Sequence, residues 1–166
     1  ILDKKKNKIT NFIIIRASSI FGANVYSESK ELIFTLVNNC CYQLVTSKTL
    51  KINNPEIARN FLPFSVFQKF IQLVLKNDFS KNTKIINFGY KTFYLYQLAE
   101  LLIKQYNKIF KSKPKLILPT YKKKNKIFLF KSKYLIRKYN KKIFLKEIDK
   151  TLKLFDNLFN KSNEKR

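Results

Sequence analysis

Short β-branched runs alternate along this chain with longer stretches whose apolar residues recur every three to four positions, and that alternation constrains the fold more than any other feature. Phe12, Ile13, Ile14 and Ile15 form a continuous apolar run ending at Arg16, which is how a strand buried on both faces reads. From Ser27 onward, Leu32, Ile33, Leu36, Val37, Cys40, Cys41 and Leu44 fall at helical spacing, with Ser27 or Ser29 placed to cap the first turn and Glu28 and Glu31 suited to its dipole. Leu50 to Ile52 reads as a short strand before the turn residues Asn53, Asn54 and Pro55. A helix is expected after Pro63, with Val66, Phe67, Phe70, Ile71, Val74 and Leu75 on one face. Lys84 to Asn87 reads as a strand stopped by Gly89. Leu95, Leu98, Ala99, Leu102, Ile103 and Tyr106 make a third helix, and Leu116 to Leu118, closed by Pro119, a further strand. The last helix is expected from about Lys146, with Ile148, Leu152, Phe155 and Phe159 inward. This order predicts an α/β layer with parallel pairing rather than a helical bundle.

Composition removes several chemistries. The 166 residues include no histidine, so no Ser-His-Asp or Cys-His nucleophile system can form and no imidazole can hold a metal. The two cysteines are adjacent, which leaves neither a disulfide framework nor a thiolate zinc site; on the helical stripe they read as small core hydrophobes. Gly22 and Gly89 are the only glycines, too few for a loop that cradles phosphates with its backbone amides. No apolar run approaches the roughly 18 residues of a membrane-spanning helix. Methionine is absent altogether, which predicts a piece cut from a longer protein.

The chain carries 35 Lys plus Arg against 10 Asp plus Glu, a formal charge of +25. Only Arg16, Arg59, Arg137 and Arg166 are arginine, and Lys, Asn, Ile and Phe are abundant throughout, the bias that AT-rich codons produce. Between Glu100 and Glu147 there is no acidic residue among sixteen basic ones, which would suit a polyanion or phosphate but reads first as a solvated Lys-rich surface, because a run this long must coat several sides of the fold. Nucleic-acid binders favour Arg clustered on one face, whereas here Lys dominates and spreads along the chain. A non-catalytic basic module for nucleic acid or another polyanion is therefore the competing reading rather than the leading one.

Four segments in order carry a resemblance. The strand ending in Arg16 and followed by Ala17-Ser18-Ser19-Ile20-Phe21-Gly22-Ala23 resembles the R-x-x-N-x-[YF]-G-P segment of the extended short-chain dehydrogenase/reductases, the NAD-dependent nucleotide-sugar epimerases and dehydratases. Ala58-Arg59-Asn60-Phe61-Leu62-Pro63-Phe64-Ser65-Val66-Phe67 resembles their R-D-[FW]-[IVL]-x-V-x-D-V segment. Ile85-Ile86-Asn87-Phe88-Gly89, with Leu95, Leu98 and Ala99 behind it, is similar to their Y-N-[IVL]-G strand and following helix. Ser132-Lys133 and the closing helix stand where they carry D-x-S-K-A and an end helix.

The resemblance implies a C-terminal portion spanning 1–166: late strands of a Rossmann-type parallel sheet plus a small substrate-binding α/β subdomain, with Phe12–Ile15 and Lys84–Asn87 in one sheet. The glycine fingerprint for NAD or NADP and the Tyr-x-x-x-Lys proton-transfer pair would lie upstream of Ile1, so no catalytic residue is assigned here; Tyr134 and Lys138 share that spacing at the wrong end of the chain. It further implies that Ala17 and Ser18 lie along the nicotinamide, that Ser19 takes the place of the asparagine bonding the substrate diphosphate, and that Lys30 and Leu32 belong to the helix start near the nucleotide. Arg59 matches the arginine that clamps the diphosphate, and Lys122 or Lys123 stands where a second arginine contacts phosphate. Asn60, Val66 and Ala23 replace the family's Asp, Asp and Pro. The implied partners are a nucleotide-diphospho-sugar, the N-terminal half and a second copy in a homodimer, in the cytoplasm and without membrane or nucleic acid. The parent activity would be epimerisation or dehydration of a nucleotide sugar for surface polysaccharide.

Overall fold

A computed structural model of the chain describes residues 13–22, 35–76, 84–121 and 139–164. Strand β1 (Ile13–Ala17) pairs in parallel with β5 (Lys84–Phe88), in the register Ile14 with Ile85 and Ala17 with Phe88. The two runs expected in one sheet are therefore hydrogen-bonded neighbours. β2 (Ser19–Phe21) follows after one residue and lies parallel to β4 (Ala58–Pro63), which pairs antiparallel with β6 (Lys91–Tyr94). β3 (Thr49–Lys51) and β7 (Lys115–Ile117) form a third, parallel pair. Among the described residues there are four helices: α1 (Leu36–Ser47), α2 (Phe64–Lys76), α3 (Leu95–Phe110) and α4 (Lys141–Glu164). The result is mixed α/β.

β2, β4 and β6 were not expected from the sequence. β2 and β6 are short, and Ala58–Pro63 lacks a β-branched residue and ends in proline, which reads as a breaker although Pro63 stands level with Phe21 at the end of the β2–β4 pairing. α4 begins at Lys141 rather than Lys146 because Asn140 caps it: its Oδ1 accepts from the amides of Lys142 (2.9 Å) and Ile143 (3.4 Å). α1 is described only from Leu36, after the N-cap Thr35, so the expected start near Ser27, with its caps and acidic first turn, lies outside the described residues.

The core gathers the inward faces of all four helices. Val37, Cys40, Cys41 and Leu44 of α1 are buried with Ile148, Leu152 and Phe155 of α4 and with Leu98, Ala99 and Leu102 of α3. α2 covers one side of the β1–β5 pair, where Phe70 stacks on Phe88 with ring centroids 3.9 Å apart and planes 10° from parallel. Such a stack adds about 0.5–1.5 kcal/mol beyond the area it buries. Leu75, expected on the inward face of α2, is 80 % exposed, because the buried stripe of the helix runs through Phe70 and Val74, and Leu75 lies about 100° around the axis from Val74.

The other side of the pair is bare. Ile14 is 46 % and Ile85 53 % exposed, side by side in the register, although parallel sheets are ordinarily covered on both faces. The double-sided burial expected for Phe12–Ile15 is therefore half met among the described residues: Ile13 and Ile15 pack on the core and Ile14 does not.

Candidate functional site

Ligands of open α/β sheets bind beyond the carboxyl ends of parallel strands. At that end of β1, Ala17 is exposed and level with Phe88, and Ser18 bridges β1 to β2 with its amide donating to the Phe88 carbonyl at 2.9 Å. The Ser18 hydroxyl is buried and has no hydrogen-bond partner among the described residues. A buried hydroxyl left unmade costs on the order of 1–3 kcal/mol, so this position holds a polar group ready for an incoming partner.

Ser19 opens β2 level with Phe61 of β4, and Arg59 lies two residues before Phe61. Side chains two apart on a strand share a face, so Ser19 and Arg59 point to the same side of the β2–β4–β6 sheet. Arg59 is exposed, with no ion pair to a described residue. On that face Lys91 and Phe93 of β6 are level with Phe61 and Arg59 respectively. The Lys91 ammonium lies 5.1 Å from the centre of the Tyr139 ring, and Phe93 meets Tyr139 edge-on at 6.3 Å. Partial burial, followed by the neighbouring Tyr90, raises the Tyr139 hydroxyl above the ordinary tyrosine range. The sequence singled out neither Lys91 nor Tyr139, because only the antiparallel β4–β6 register sets Lys91 and Phe93 on the face of Arg59, and only packing from the segment before α4 brings Tyr139 onto those two.

Asn60, on the opposite face, fastens this strand. Its Oδ1 accepts from the Tyr90 amide at 2.9 Å and its Nδ2 donates to the Thr92 hydroxyl at 3.0 Å. The Tyr90 hydroxyl in turn donates to the Asn140 carbonyl at 3.2 Å and accepts from the Asn140 amide at 2.9 Å, tying the β5–β6 turn to the start of α4. Asn60 thus performs a tethering role where the resembled family has aspartate. Ala17, Ser18, Ser19 and Arg59 are brought to one end of the sheets; Lys30, Leu32, Lys122 and Lys123 lie outside the described residues.

Among the described residues no group of three or more His, Cys, Asp or Glu side chains could hold a metal, and no helix is long and apolar enough to cross a membrane. No protein-family model and no curated protein sequence matches the chain. Solved structures do. The UDP-glucose 4-epimerase of Thermotoga maritima, solved with UDP-glucose, is 15 % identical with a TM-score of 0.60 over 89 % of this chain and 46 % of its own. The UDP-N-acetylglucosamine 4-epimerase of Methanobrevibacter ruminantium, in complex with UDP-N-acetylmuramic acid, gives 17 % and 0.59 over 89 % and 46 %. RMD from Pseudomonas aeruginosa, complexed with NADPH, gives 11 % and 0.58 over 87 % and 48 %. The chain spans about half the length of the structures it matches. It has the Rossmann-type α/β fold of the C-terminal part of the two UDP-sugar 4-epimerases.

Proposed function

We propose that residues 1–166 are the substrate-binding, C-terminal portion of an NAD(P)-dependent nucleotide-sugar epimerase or dehydratase, acting in the cytoplasm in the synthesis of surface-polysaccharide sugars. The observation that carries this reading is the shared face of Ser19 and Arg59 beside the carboxyl end of the β1–β5 pair. An exposed guanidinium with no ion-pair partner among the described residues, on the same face as a serine hydroxyl, suits a diphosphate, which accepts a planar two-pronged donor and a single hydroxyl together. The bare Ile14–Ile85 face and the half-length match support a second polypeptide portion covering the sheet and holding most of the cofactor.

The residues present fit a nicotinamide cofactor at one point, the buried and unpartnered Ser18 hydroxyl beside Ala17. When bound, NAD or NADP would accept hydride from the sugar ring and return it. This chain's own residues would grip the diphosphate through Arg59 and Ser19, present Ala17 and Ser18 to the nicotinamide, and hold the strand still through Asn60. The proton-transfer residues belong to the other portion.

The test is calorimetry with UDP-glucose on this chain assembled with a cofactor-binding portion. Arg59→Lys should weaken UDP-glucose binding by about 1–3 kcal/mol, the range for hydrogen bonds to a charged group, and leave NAD(P) binding and thermal stability unchanged. Unchanged UDP-glucose affinity would make Arg59 an ordinary surface residue. Steep loss of binding with added salt, many charges' worth, would favour the polyanion-binding module instead.

A further inference from the structure

A cleft of about 620 Å³ opens between α2 and the first half of α4, above Phe88 and Gly89 at the carboxyl end of β5. Neither Ser19 nor Arg59 lines it. Lys69 and Lys76, two turns apart on α2, stand on one wall, and Lys146 and Lys150, one turn apart on α4, on the other. All four are exposed. Between them lies a single acid, Glu147, whose side chain is only 3 % exposed and which also lines the cleft.

Glu147 is unusual in its lack of partners. Its carboxylate makes no ion pair and no hydrogen bond with any described residue, although four lysines border the same space; only its backbone carbonyl is engaged, by the Thr151 hydroxyl at 2.8 Å. It packs against Gly22, where a Cβ would collide with it. The carboxylate opens onto the cleft rather than being sealed in the core, so a ligand that brings hydroxyl or amine hydrogens into the cleft can donate to it directly. The lysines meanwhile make the mouth strongly attractive to an anion.

We propose that this cleft binds a small phosphorylated, hydroxyl-bearing molecule, of which a hexose phosphate is the simplest case, with the phosphate between the lysine pairs and a sugar hydroxyl on Glu147. The volume lies within the range of small-molecule pockets. A bare polyanion suits it less, since a continuous run of phosphates would meet the Glu147 charge with nothing to donate to it. Phe88 and Tyr90 form the floor of the cleft, and the half-buried Ile143 and the exposed Leu73 add apolar surface at its walls.

The experiment is calorimetric titration of the whole chain with glucose 1-phosphate, inorganic phosphate and glucose. Glucose 1-phosphate should bind with saturation at one site and more tightly than inorganic phosphate, and glucose should bind least. Removing Lys69 and Lys150 together (K69A with K150A) should weaken both phosphates about tenfold or more, the scale of a charge-assisted hydrogen bond. Glu147→Gln, nearly the same shape, should strengthen inorganic phosphate by removing repulsion and narrow the preference for glucose 1-phosphate at least fivefold. Ile143→Trp, which fills the cleft from α4, should abolish binding should Glu147→Gln fail to fold. Arg59→Lys should leave glucose 1-phosphate binding intact, so this site and the diphosphate site stand or fall separately. An unchanged preference in Glu147→Gln, full binding in Ile143→Trp, or insensitivity to the lysine substitutions would overturn the proposal.

Discussion

Gly22 and Asn38 hold each other by two hydrogen bonds: the Gly22 amide donates to Asn38 Oδ1 at 3.1 Å, and Asn38 Nδ2 donates to the Gly22 carbonyl at 3.3 Å. Both residues are buried, so the pair locks the end of β2 onto α1 at the point where the chain leaves the sheet. Gly22 has φ of +137°, a conformation that side-chain-bearing residues rarely adopt, and a Cβ there would strike Glu147 and stand 3.0 Å from Phe64 Cβ. Gly22→Ala is accordingly expected to cost roughly 2–4 kcal/mol through strain and crowding combined. Denaturant unfolding checks it, and Glu147→Ala in the same chain should recover a measurable part of the loss, because the two side chains compete for one space.

Asn60→Ala should destabilise the chain by about 1–3 kcal/mol. The substitution strands the Tyr90 amide and removes the partner of Thr92, a residue only 7 % exposed. Because the same side chain steadies the strand that carries Arg59, loss of nucleotide-sugar affinity should accompany the loss of stability. Urea midpoints and calorimetry on one preparation would test both; a variant as stable as the parent would mean that the two bonds contribute nothing net.

The cysteines make a prediction about pH. Burial pushes the Cys40 thiol up to about 12 from an ordinary value of 9.0 and raises Cys41 well above that value. A folded value above the unfolded one means that the folded chain keeps its thiols protonated while the unfolded chain loses them. The contribution to stability is therefore complete below about pH 9 and disappears as pH rises from there toward 12. Both thiols should resist labelling by a thiol reagent at pH 8 until denaturant is added. In a Cys40→Ala, Cys41→Ala chain the fall in stability above pH 9 should be shallower, whatever the cavities cost in absolute terms.

Ile14 and Ile85 predict how the chain behaves by itself. They lie side by side on an uncovered sheet face, so the isolated chain should self-associate with rising concentration. Replacing both with Ser should lower light scattering with little effect on unfolding, because neither side chain is packed in the core. If self-association is unaltered, the sticky surface lies elsewhere, with the exposed Leu73 and Leu75 of α2 the next residues to change.

The sequence by itself determined the periods and therefore the class. Runs such as Phe12–Ile15 and Lys84–Asn87 are too short and too β-branched for helices, and the stripes Leu95–Tyr106 and Ile148–Phe159 cannot alternate as strands, so the alternating α/β order follows from local geometry alone. Ser19 and Arg59 were singled out only as members of segments resembling a family. The tertiary structure decided which strands pair. β2 and β6 are short, β4 has no β-branched residue and ends in proline, and the stability of all three comes from partners up to dozens of residues away. That pairing sets Ser19 and Arg59 on one face with Lys91 and Phe93, and packing brings Tyr139 onto Lys91 and Phe93, leaves Ile14 exposed against the expectation of its neighbours, and turns Glu147 toward a lysine-bordered cleft. Periodicity reports how a segment can bury its own face; only long-range hydrogen bonding and packing specify what that face meets.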